Sequence, residues 1–86
     1  MEEVARALVD YIRRKGLEAR LRVEDGEPVV EIPLEGETAE VRLSSLGGGR
    51  LELKLRYPGR PGVTVFKCSE GLPERCVEQL IEALKG

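Results

Sequence analysis

The chain has 86 residues, a net charge of −2, 41% hydrophobic and 35% charged residues. That length predicts a single domain, 1–86, near the size where one core is barely sufficient, and the apolar content excludes a disordered chain. No apolar run approaches the roughly 20 residues of a membrane helix, and Arg6 and Asp10 interrupt the first apolar stretch, so neither a span nor a signal peptide is expected and the cytoplasm is the expected compartment. Asn, His and Trp are absent, Gln79 is the one glutamine, and Glu and Arg abound. Such depletion of thermolabile side chains beside charge enrichment is a hyperthermophile tendency.

Residues 2–15 predict a helix. Val4, Ala5, Leu8, Val9 and Ile12 fall on one stripe, with Glu2 and Glu3 at the positive end of the helix dipole and Arg13, Arg14 and Lys15 at the negative end. Gly16 stops it. In residues 17–24, Leu17, Ala19, Leu21 and Val23 alternate with Glu18, Arg20, Arg22 and Glu24, which predicts a first strand. Asp25-Gly26 is a short turn signal, and Val30, Ile32 and Leu34 form the inward set of a second strand with Pro28 near its start. Pro33 lacks a ladder donor and pushes that end towards a sheet edge or an irregular spot.

Glu35-Gly36-Glu37 turns the chain into a third strand, where Ala39, Val41 and Leu43 alternate with Glu40 and Arg42. Residues 44–49 predict a loop. In the fourth strand, 51–57, Leu51, Leu53, Leu55 and Tyr57 share one face and Glu52, Lys54 and Arg56 the other, with Arg50 just before it. Two prolines and two glycines in 57–62 force a turn into a fifth strand, 63–68. Pro73 is then placed in the first turn of a closing helix whose apolar stripe is Val77, Leu80, Ile81 and Leu84. Short connections favour neighbouring antiparallel strands. The expected fold is α+β in two layers: a five-stranded antiparallel meander with the N-terminal and C-terminal helices on its one apolar face.

Chemistry-bearing signals are sparse. Gly47, Gly48 and Gly49 precede a strand, without the helix and Gly-Lys-Ser/Thr of a phosphate loop, and read as a loose turn. Without histidine, the two thiols Cys68 and Cys76 supply no four-ligand zinc site within one chain, and their spacing is not Cys-x-x-Cys. No metal, cofactor or catalytic residue is expected. Fourteen glutamates make any carboxylate pair uninformative, and no nucleophile has an identifiable base. A short turn at 69–72 brings Cys68 and Cys76 within reach of a disulfide, with two buried free thiols as the alternative.

The fifth strand is ambiguous. If Cys68 faces the helices, so do Thr64 and Phe66, and Val63, Val65 and Lys67 point outward; if the valines are core, Phe66 is exposed. Either way some apolar surface is offered to a partner. Charge is segregated too: Glu24, Asp25, Glu27, Glu31, Glu35, Glu37 and Glu40 lie in a stretch without a base, followed by Arg42, Arg50, Lys54, Arg56, Arg60 and Lys67 against Glu52. These halves can pair with each other across strands, pair with another copy, or leave the 50–67 hairpin free for a phosphate backbone. Three aromatics, Tyr11, Tyr57 and Phe66, are few for base stacking.

In element order the chain is similar to the small chaperone-like domains related to type III secretion chaperones, a resemblance that implies protein binding and dimerisation. The functional expectation is a non-enzymatic module that self-associates as a homodimer, or docks on a protein partner, through the open sheet face and last strand, using Val63, Val65, Phe66, Arg50, Lys54, Arg56 and Arg60. A nucleic-acid accessory role for the basic hairpin is the alternative; no membrane partner is expected.

Overall fold

Alternation in the middle of the chain folds into a sheet, and the two helical stripes fold down onto it. In the computed structural model, which describes residues 1–72 and 74–86, the order is α1 Glu2–Arg14, β1 Arg20–Glu24, β2 Glu27–Leu34, β3 Glu37–Gly47, β4 Arg50–Arg56, β5 Thr64–Ser69 and α2 Glu74–Lys85. The strands form one antiparallel sheet in the order β1-β2-β3-β4-β5. Pro73, expected at the opening of the last helix, lies outside the described residues. Among the described residues no helix is long and apolar enough to cross a membrane.

Both helices cover the same face. Ala5, Leu8, Val9 and Ile12 of α1 and Val77, Leu80, Ile81 and Leu84 of α2 share a core with Val30, Ile32, Ala39, Val41, Leu43, Leu51, Leu53 and Leu55. These are the inward residues of three successive strands, as period-two alternation requires. The helices also meet each other: Tyr11 of α1 donates a hydrogen bond to Glu78 of α2 at 2.7 Å, and Lys15 Nζ lies 2.6 Å from the same Oε1.

Where α1 ends, Leu17 N–H donates to Ile12 O and Gly16 N–H to Arg13 O, the paired bonds of a Schellman cap, with Gly16 at φ +89°. The first strand starts later than alternation alone predicts, at Arg20 rather than Leu17. Arg13 takes the Ala19 carbonyl with two N–H donors, at 3.1 and 2.8 Å, so that acceptor is diverted from the ladder. Continuing the Arg20 to Glu31 register would also set Glu18 opposite Pro33, which has no N–H to give. β2 is therefore an interior strand, and Pro33 sits where it projects beyond its neighbour, the irregular spot rather than the edge.

The β3–β4 connection departs further from expectation. The loop predicted at 44–49 is mostly strand: β3 runs on to Gly47, with a register shift between Ser45 and Gly47, and Gly48 and Gly49 alone make the turn. Gly47, Gly48 and Gly49 have φ of +82°, +62° and +75°, so this is a tight hairpin that only glycine enters without strain.

Candidate interaction surface

The face turned away from the helices is organised by rungs. One rung crosses all five strands, Arg22, Val29, Arg42, Lys54 and Val65, each opposite the next. Acids of the adjoining rungs close around its cations. Arg22 pairs with Glu24, with Glu31 at 3.4 Å and with Glu40 at 2.7 Å, while Arg42 pairs with Glu24 and with Glu27 at 3.6 Å. Both arginines donate hydrogen bonds to the Glu24 carboxylate, Arg42 being the stronger influence, and they hold it down to a pKa of about 2. Glu24 in turn raises both guanidinium values.

Between these arginines lies Val29, fully buried although it points away from the helical core. Arg22 and Arg42 flank it directly across the strands on either side, and their heads reach the flanking acids. The sequence reading placed only Val30, Ile32 and Leu34 of this strand inside and missed Val29. Its signal was local: an apolar residue facing outward with an arginine directly opposite on each side.

The acidic and basic halves of the chain therefore meet within the molecule. Arg56 Nε lies 3.9 Å from Glu40 and Arg60 3.0 Å from Glu37, while Lys54 Nζ lies 3.5 Å from Glu52 within the basic half itself. Arg60 also stacks 4.4 Å over the Tyr57 ring, in a loop closed by Arg60 N–H donating to Tyr57 O. Arg50, by contrast, has no carboxylate within 4.0 Å among the described residues.

The rung changes character at its last strand. Val65 on β5 is 46% exposed, and Val63, which the expected strand 63–68 included but which lies just before the observed one, is 54% exposed; among the described residues β5 is hydrogen-bonded to a neighbour on one edge only. Cys68 is buried opposite Leu51, and Phe66 packs against the core opposite Leu53, so Cys68, Phe66 and Thr64 face the helices. That resolves the ambiguity of the fifth strand. It also corrects one grouping: Phe66 belongs to the opposite face from Val63 and Val65 and does not extend their patch. At the other edge, β1 carries Arg20, Arg22 and Glu24 outward. Charge there discourages pairing with another strand, although Val23 on its other face is 58% exposed, whereas β5 offers Val65 and Lys67 with Val63 just before them.

Cys68 and Cys76 are joined in a disulfide with Cα atoms 6.0 Å apart, tying β5 to the first turn of α2. Among the described residues no group of three or more His, Cys, Asp or Glu is placed to hold a metal. Comparison with protein-family models, with curated proteins and with solved structures found no match for this chain.

Proposed function

We propose that this chain is a small non-enzymatic interaction module that pairs edge to edge with a second copy of itself along β5. The observation carrying this reading is the unpaired edge of β5 beside exposed Val63 and Val65, on a face otherwise occupied by ion pairs. An antiparallel two-fold pairing centred on Val65 brings the two Val65 side chains together and sets each Lys67 opposite a Val63. The alternative centred on Lys67 would oppose like charges. Pairing of this kind continues the sheet into a second copy and satisfies backbone donors and acceptors that the monomer leaves to water.

Lys54, Arg56 and Arg60 already have carboxylates within 4.0 Å, which weighs against the basic hairpin as a phosphate-backbone surface. The test is solution mass by light scattering after size exclusion, at low and high salt. A mass of twice 9.5 kDa that survives high salt in the wild type, and falls to the monomer in Val65→Glu with an unchanged circular dichroism spectrum, is the expected result. A wild-type monomer at all salts would overturn it.

A further inference from the structure

Three cations that take no part in the ion pairs above line a cleft beside the disulfide. The cleft, of about 440 Å³, is lined by Arg50 at the start of β4, Lys67 on β5 and Arg75 on α2, with Cys68 and Cys76 in its wall. No carboxylate is among its described lining residues, and none of the three cations has a carboxylate within 4.0 Å among the described residues. On the sheet face, by contrast, Arg22, Arg42, Arg56 and Arg60 each have a carboxylate within 4.0 Å. Three unpaired positive charges around one open cleft make a local positive field in a molecule of net charge −2.

The two sulfurs differ in access. Cys68 is 8% exposed and packs in the core, whereas Cys76 is half-buried at the cleft in the first turn of α2. An attacking sulfur therefore reaches Cys76 Sγ first, from the cleft the cations line. Attack on a disulfide is made by a thiolate, so a positive field favours both the approach and the ionised form of an incoming anion.

We propose that this cleft binds the acidic end of an anionic low-molecular-weight thiol and directs its sulfur onto Cys76, making Cys68–Cys76 an exchanging redox pair. The thiolate bonds to Cys76 Sγ, the Cys68–Cys76 bond breaks, and Cys68 leaves as a thiolate that takes a proton. A second molecule of the thiol attacks the mixed disulfide, releasing Cys76 as thiolate and forming the small symmetrical disulfide. Two electrons pass from two thiols to the protein, and the protons they lose protonate the two cysteines. Reduction removes the side-chain cross-link between β5 and α2 and leaves only the short backbone connection between them. The inference does not rest on self-pairing along β5; because Lys67 would lie in that interface as well, the rates are measured at a dilution where the chain is monomeric.

The experiment compares reduction of the folded, full-length protein by mercaptoethanesulfonate, mercaptoethanol and cysteamine, which carry negative, no and positive charge. Each rate is taken per thiolate and divided by the same thiol's rate with hydroxyethyl disulfide, which removes intrinsic nucleophilicity. At low ionic strength the wild type should favour the sulfonate over cysteamine on the order of tenfold, the low end of electrostatic steering, and added salt should shrink the preference. The triple variant Arg50→Glu/Lys67→Glu/Arg75→Glu should reverse it, the single Arg75→Gln should lower it, and Arg20→Glu at the far edge should leave it intact. A structural disulfide would show no charge preference beyond that of the small reference, or the same preference in the triple variant. Either result overturns the proposal, as does complete resistance of the folded protein to all three thiols.

Discussion

Tyr11 and Glu78, 67 positions apart in the chain, share a 2.7 Å hydrogen bond that joins the first helix to the last, and Lys15 closes on the same carboxylate. Lys15 and then Tyr11 hold the Glu78 carboxyl below its usual range, while the bond to Glu78 raises both the Tyr11 hydroxyl and the Lys15 ammonium. A lowered carboxyl value means stability present above the unfolded carboxylate range and lost as pH falls through the folded value. Raised Tyr11 and Lys15 values mean stability present below their unfolded values and lost as pH rises through the folded ones. Glu78→Gln should therefore flatten both limbs of the urea midpoint against pH. It should also bring the Tyr11 titration, read by ultraviolet difference absorption, down towards its ordinary value; an unchanged Tyr11 titration would show that the bond is not formed in solution.

Glu24 answers acid differently because two arginines hold it. With its value lowered to about 2, its contribution is complete above the ordinary carboxylate range and is lost progressively as pH falls towards 2. Glu24→Gln should remove that part of the acid transition, leaving the remaining carboxylates to set a shallower slope. High salt should narrow the difference between the two proteins, since the pairs are open to solvent. Equal acid unfolding curves for both would count against the arginine clasp.

Val29 supplies a test of the second, smaller buried site. Val29→Ala removes two methyl groups from a fully buried position and should cost roughly 2 kcal/mol, from lost transfer energy plus a residual void. Denaturant unfolding measures it. Val65→Ala, at a position 46% exposed in the single chain, should cost far less under monomeric conditions. Equal effects at both sites would mean that the arginine stems do not exclude water from Val29.

Alternation was the legible part of this sequence. Leu51, Leu53 and Leu55 against Glu52, Lys54 and Arg56 fixes a strand and its buried face, because side-chain direction in a strand depends only on parity. The helical stripes were readable for the equivalent reason. Element ends were not, since they depend on partners distant in space: Arg13 capturing the Ala19 carbonyl shortened β1, and the absent donor of Pro33 left nothing opposite to extend it. The three glycines announced a turn, but not that the strand would run through Ser45 to reach it. Of the surface, the exposed valines were foreseen only as one of two alternatives. Val29 was missed because its rung neighbours Arg22 and Arg42 belong to two other strands, and charged residues do not announce themselves as cover. The cleft at the disulfide was missed because Arg50, Lys67 and Arg75 come together only when β5 and α2 are in place.

The strictly sequential order of the strands bears on synthesis. Each strand's partner is the strand just before it in the chain, so as the chain emerges no strand waits for a distant mate. A nascent sheet of this kind always carries one growing edge, which moves outward one strand at a time. At completion that travelling edge comes to rest on β5, where the turn into α2 halts it. The finished protein thus keeps at β5 the last site of its own growth.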